Sequence, residues 1–133
     1  MNDTWIETER LYIRHPCEAD FQDLYALQSD TDVMRYIGRG IRNQEMVLKG
    51  LHLAIVHQRK YGFSLGSVLE KKSNHFVGRA GLIHLGFNDE KKEIEVAYAF
   101  HQGYWGKGYA TEIAQALIEW GFHHLPIDEL VAI

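Results

Sequence analysis

Residues 103–112 read GYWGKGYATE. Immediately before them, Ile94, Val96, Tyr98 and Phe100 alternate with Glu93, Glu95, Ala97 and Ala99, the period-two pattern of a strand. Immediately after them, Ala110, Ile113, Ala114, Leu117, Trp120 and Gly121 form one stripe of a helix, with Thr111, Glu112, Gln115 and Glu119 facing away. The segment is therefore a glycine-rich turn running from a strand straight into an amphipathic helix. Gly103, Gly106, Gly108 and Ala110 let the backbone come close to a ligand. The first amides of the helix lack intrahelical partners and sit at the positive end of the helix dipole, which makes the turn a site for an anion, with a diphosphate the natural guest.

Three phosphate loops compete for this pattern. A Walker-type loop needs Ser or Thr directly after Gly-Lys to hold magnesium, and here Gly106-Lys107 is followed by Gly108. A dinucleotide fingerprint, G-x-G-x-x-G, fits at Gly106 and Gly108 but meets Thr111 at its third glycine. An acetyl-coenzyme A loop, Q/R-x-x-G-x-G/A, is matched at its glycine and Gly/Ala positions by Trp105 to Ala110, with Trp105 where Gln or Arg is usual. The alternative to all three is a glycine-rich turn of structural use alone.

Outward from the loop, the rest of the chain supplies a sheet and its cover. Residues 8–15 alternate with Leu11 and Ile13 on one side, and Pro16 ends the run. Phe21, Leu24 and Tyr25 recur at helical spacing within 18–28, and a short helical piece lies between the breakers at 30–32 and 38–40. A longer helix is predicted over 43–60, capped by Asn43, with Val47, Leu48, Leu51, Ala54 and Ile55 on one face. Strands are predicted over 63–70, 76–85 and 93–100, joined by polar turns at 73–74 and 88–92, and a last one over 129–133. Three consecutive strands should meander antiparallel, and the last two, joined through a helix, should lie parallel. The expectation is one α/β domain over 1–133, a mixed sheet with helices on both faces.

Composition narrows the function classes. The net charge of -4 offers no basic excess for nucleic acid, and no apolar run approaches the roughly 18 residues of a membrane span. Cys17 is the only cysteine, so no internal disulfide can form, and it reads as a small buried or half-buried residue. The N-terminus lacks the charged start and apolar stretch of a signal peptide, which together with the lone cysteine favours the cytoplasm. None of the eight histidines has metal-ligand spacing, and the adjacent His123 and His124 point different ways on their helix, so no metal is expected.

Four segments together resemble the GNAT superfamily, and within it the branch of ribosomal-protein N-terminal acetyltransferases and their relatives. They are Thr8 to Arg14 (TERLYIR), Phe76 to Ile83 (FVGRAGLI), Glu95 to Tyr98 (EVAY) and Tyr104 to Glu112 (YWGKGYATE). The resemblance implies a GNAT-like mixed sheet and transfer of an acetyl group from acetyl-coenzyme A to a primary amine, on a protein N-terminus or a small molecule. It implies that backbone groups around Ala99, Phe100 and His101 bind the pantetheine arm, in a gap between two splayed parallel strands. It implies that amides of Trp105, Gly106, Lys107, Gly108, Tyr109 and Ala110, with Thr111 beside them, hold the diphosphate, Lys107 adding charge. Glu95 then takes the place of the strand glutamate that removes the amine's proton, the other reading being a salt bridge to Arg79. Glu93 shares its face nearer the turn.

The same resemblance implies further C-terminal elements, a helix and two strands, beyond Ile133. Among them would be an asparagine that contacts the cofactor and a tyrosine that protonates the thiolate. Tyr98, Tyr104 and Tyr109 do not match that tyrosine. On this reading the strand at 129–133 is an apolar edge that a second copy of the chain would cover. A domain that binds coenzyme A without turnover, or a structural fragment, are the rival readings.

Overall fold

The computed structural model describes residues 3–35, 37 and 40–132. Its frame is a six-stranded sheet with the strands in chain order: β1 (Thr4–Glu7), β2 (Leu11–Arg14), β3 (Leu65–Glu70), β4 (Phe76–His84), β5 (Ile94–Phe100) and β6 (Val131–Ala132). Neighbours are antiparallel from β1 to β5, while β5 and β6 run parallel. The parallel pair is joined by α4 (Tyr109–His124), the crossover a parallel pair requires. β1 precedes the first strand that the alternation predicts. That predicted strand over 8–15 is a turn at Thr8 to Arg10 followed by β2, and the turn is closed by the Thr8 N–H donating to the Leu11 carbonyl at 2.8 Å.

The helices divide between the two faces. α4 lays Ile113 and Leu117 on Leu82, Ala80, Val96 and Phe100, and this cluster continues through Ile13 and Val68. The opposite face carries α1 (Phe21–Gln28), α2 (Thr31–Met34) and α3 (Gln44–Tyr61). There Leu27, Val33 and Met34 meet Ala99, while Leu24, Val47 and Leu51 form a second cluster beside Phe76. α3 starts where Asn43 accepts the Met46 N–H at 2.9 Å. It stops at Gly62, whose φ of 79° is a left-handed cap that glycine adopts without strain. Tyr98 lies on the α4 side, as its spacing implies, yet is 41% exposed. The ladder to β6 covers only Glu95 and Val96 among the described residues. Cys17 is exposed rather than buried, because it caps a short 3-10 turn (Glu18–Asp20) at the surface.

Candidate active site

Between β5 and α4 the chain makes a 3-10 turn (Gln102–Tyr104) and enters the helix through two left-handed glycines, Gly106 (φ 79°) and Gly108 (φ 80°). A side chain at either position would be strained. The turn stands open: residues 105–108 are exposed, and a Cβ built on Gly106 would meet no atom within 4 Å. Gly108 caps α4 without a side-chain acceptor. The Trp105 N–H is used, donating to the Gln102 carbonyl at 3.1 Å, and the Glu112 N–H closes the helix's first turn onto the Gly108 carbonyl at 3.0 Å. Between them, the N–H groups of Gly106 through Thr111 have no acceptor among the described residues. Six donors at a helix N-terminus, behind an exposed turn, form an anion site by the physics of the dipole and the orphan amides.

The register of β5 decides which of its backbone groups face the neighbouring gap. The Leu85 N–H donates to Glu93 and the His101 N–H to Val77, so odd-numbered residues of β5 direct their N–H and C=O toward β4. Ala99 therefore spends its backbone groups on β4, while His101 gives its N–H to Val77 and its carbonyl accepts the Tyr104 N–H at 2.9 Å. The groups turned toward the β6 side, past the end of the ladder, belong to Tyr98 and Phe100. The Phe100 carbonyl already accepts the Trp105 indole N–H at 2.8 Å. Trp105 is thus half-exposed but anchored, and it ties the loop to the strand end.

Behind the loop lies an open basin of about 460 Å³, lined by Glu9, Arg10, Glu70, Lys71, Lys72, Lys107 and Tyr109. Four cations face two acids there. The acid Glu70 is already engaged, accepting from the Tyr109 hydroxyl at 2.5 Å and from Ser73 at 2.7 Å, and these bonds hold its carboxyl below the usual range. The same bond and burial raise the Tyr109 phenol. Arg10 stacks over the Tyr109 ring at 4.6 Å, and Lys107 reaches over Tyr104 at 5.4 Å.

Residues 10–133 match the family model of the acetyltransferase (GNAT) domain. The chain belongs to the GNAT acetyltransferase family. It is 33% identical over 130 residues to YnaD of Bacillus subtilis, described as an uncharacterized N-acetyltransferase, spanning 96% of this chain and 71% of that protein. It is 27% identical over 131 residues to YkkB of the same organism, spanning 98% and 75%. The crystal structure of a GNAT-family acetyltransferase from Bacillus anthracis superposes with a TM-score of 0.77 at 28% identity, over 96% of this chain and 71% of that one.

In this GNAT frame Glu95 is half-buried on the face of the sheet that carries α1 to α3, on the same side as Ala97 and Ala99. It forms no salt bridge with Arg79; its carboxylate contact is the Gly86 N–H at 3.4 Å. Glu93 is half-buried one turn of the strand earlier. No group of three metal-ligating side chains converges among the described residues, and no helix is long and apolar enough to cross a membrane. His124 is engaged with its own helix, bonding the Trp120 carbonyl and stacking on its ring.

One set of site-supporting contacts was missed from the sequence. Glu112, read as a residue facing away, accepts from the Thr8 hydroxyl at 2.6 Å, the Arg10 N–H at 2.9 Å and the Arg10 Nε at 2.7 Å. Arg10 also donates to the Lys107 carbonyl at 2.9 Å. The TERLYIR and YWGKGYATE segments therefore meet at one knot, which fixes the loop that presents the free amides. The pairing of a Thr-x-Arg turn with a Glu on the helix was legible only as two separate motifs.

Proposed function

We propose that the protein transfers an acetyl group from acetyl-coenzyme A to a primary amine, by direct attack of the amine nitrogen on the thioester carbon. The observation that carries this reading is the row of N–H groups from Gly106 to Thr111 without an acceptor among the described residues, at the start of α4 beside the exposed turn 105–108. They suit the diphosphate of coenzyme A. Lys107 and the cationic basin beside it suit the phosphate-bearing nucleotide end. The Tyr98 backbone groups and the Phe100 N–H, on the side of β5 past the β6 ladder, suit the amides of the pantetheine arm, which would extend the sheet there. Glu95, on the opposite face from α4, takes the proton that the amine sheds as the C–N bond forms and the C–S bond breaks. Positioning of the two reactants supplies much of the rate.

The YWGKGYATE run supports a place near the ribosomal-protein N-terminal acetyltransferases, with a protein N-terminus among the acceptors to try. A second copy of the chain across the outer edge of β6 belongs to the same proposal, with sedimentation at micromolar concentration as its check. The test of the activity is a thermal shift together with thiol release. Acetyl-coenzyme A at about 100 times its dissociation constant should stabilise the fold by roughly 2.7 kcal/mol, and an amine should then release free coenzyme A. A shift without release over a broad amine panel would leave a binding protein. No shift would remove the cofactor reading.

A further inference from the structure

One cross-strand row on the face opposite α4 is polar where a packed interior calls for apolar residues. Arg14 on β2 opposes Ser67 on β3, Ser67 opposes Arg79 on β4, and Arg79 opposes Ala99 on β5. The row behind it on the α4 face, Ile13, Val68, Gly78 and Phe100, is apolar throughout. Ser67 is 1% exposed. Arg14 Nε, Ser67 Oγ and Arg79 Nε are buried and have no hydrogen-bond partner among the described residues. Native interiors rarely leave such atoms unmet.

Arg14 is otherwise satisfied. Its Nη2 pairs with Asp20 at 2.8 Å, and the second oxygen of Asp20 accepts the Cys17 N–H at 3.0 Å, so that buried acid is already engaged on both sides. Arg79 has no carboxylate partner among the described residues. Arg42 stands near it instead. The Arg42 guanidinium lies 3.7 Å from the position of a Cβ on Gly50, which shares the crevice wall with Arg79. Arg42 donates to the Met46 carbonyl at 3.3 Å, and its Nε is again buried and unpartnered. Burial first, then repulsion from Arg42, lowers the Arg79 guanidinium to about 10 against the pull of Glu95, so it stays charged at neutral pH. Arg79, with an unused N–H, is the cation lining a crevice whose one acid is already neutralised, and Arg42 lies against Gly50 of its wall.

The crevice runs between α1, α3 and the sheet, with Asp20, Leu24, Leu51, Ala54, Ser67 and Arg79 in its lining. Its room is about 30 Å³, enough for a small polar group such as a carboxylate. A guanidinium fork suits that planar group in a way a point charge does not. The row ends at Ala99, on the strand beside the cofactor gap. Arg79 is therefore only one strand, about 4.8 Å, from β5.

We propose that Arg79, helped by Ser67 and Arg42, receives the carboxylate of the acceptor, so that the amine acetylated belongs to a molecule carrying a carboxylate close to its amino group, an amino acid or an amino-acid-like end. This rests on the acetyl-transfer reading above, and it names the acceptor class that reading leaves open. The carboxylate anchors in the crevice while the amino group faces β5 and Glu95.

Two measurements on the full chain test it separately from that reading. The first uses acetate as the probe, without cofactor, and follows the arginine Nε–H resonances by NMR, with Arg79→Lys assigning the signal. Acetate should move the Arg79 signal saturably, and acetamide should not. An unmoved signal, or an equal response to acetamide, overturns the proposal whether or not acetyl-coenzyme A binds. The second compares thiol release with amino acids and with their amides. The carboxylates should be preferred by at least about tenfold in kcat/KM, as for a buried hydrogen-bonded charge pair, mainly through KM. Arg79→Met should bring the ratio toward one. Equal use of acids and amides by the native chain, or a preference that survives Arg79→Met, overturns the proposal. Acetyl-coenzyme A affinity, read by thermal shift in the same samples, reports the cofactor reading independently.

Discussion

Replacing Glu112 with alanine removes the knot between the β1–β2 turn and the first turn of α4. Three bonds are lost: from the Thr8 hydroxyl at 2.6 Å, from the Arg10 N–H at 2.9 Å, and from the Arg10 Nε at 2.7 Å. The Arg10 side chain is 44% exposed and that of Glu112 17%, so the ion pair itself adds little after solvent screening. The other two bonds are hydrogen bonds to a shielded carboxylate and contribute about 1 kcal/mol each net. The expected loss is about 2 kcal/mol at pH 7, or roughly 5–10 °C in Tm for a domain of this size. The pH dependence follows from the sign of the shift. Burial alone would raise the Glu112 carboxyl, but the Thr8 and Arg10 hydrogen bonds outweigh it and hold the group below its usual 4.5. That stabilisation is present above the unfolded value and disappears as pH falls through the lowered folded value. Urea unfolding of native chain and E112A at neutral and acid pH reads the difference directly, and a cycle with Thr8→Val isolates the coupling. A loss under about 0.5 kcal/mol at pH 7, within the range of an ordinary surface change, would refute the reasoning. So would a loss that does not shrink in acid.

Three further outcomes are expected. Glu95→Gln should lower kcat by about 10²–10⁴-fold, the usual share of a general base, while acetyl-coenzyme A affinity by thermal shift stays the same; an unchanged pH–rate profile would remove Glu95 from the mechanism. Gly108→Val should weaken acetyl-coenzyme A binding at least tenfold by calorimetry, because φ of 80° strains a branched side chain and that side chain would fill the open approach of the diphosphate, and intact affinity would count against the loop. His57 is buried, bonded through Nδ1 to the Phe63 carbonyl at 2.8 Å, with Nε2 accepting the His84 N–H at 3.2 Å and lying 2.9 Å from His84 Nδ1. Burial chiefly holds it below its ordinary value, against the Phe63 carbonyl and Asp89, with His84 and Lys60 adding to the depression. Stability should therefore be full above about pH 6.5, fall as pH drops below it, and fall less steeply in His57→Gln.

The strand-to-helix turn and the meander were legible because period two changes to period 3.6 within ten residues and the glycines mark the change. Asn43 as cap and the parallel last pair were legible for the same local reasons. β1 was not, since Thr4 to Glu7 is four residues long and its Glu9-Arg10 turn alternates as smoothly as a strand does. Register was also out of reach: which of Tyr98, Ala99, Phe100 and His101 faces the gap depends on the hydrogen-bond parity with β4. The exposure of Cys17 follows from a turn that only the fold defines. Arg14, Ser67 and Arg79 lie far apart in the chain, and only the pairing of three strands brings them into one row.

Amide NMR with acetyl-coenzyme A reads whether the amides entering α4 hold the cofactor's diphosphate. The N–H resonances of Gly106 through Thr111 should shift together and saturate with the same dissociation constant as the whole protein. Saturable binding that leaves those six signals in place, while others move, would contradict that placement of the diphosphate.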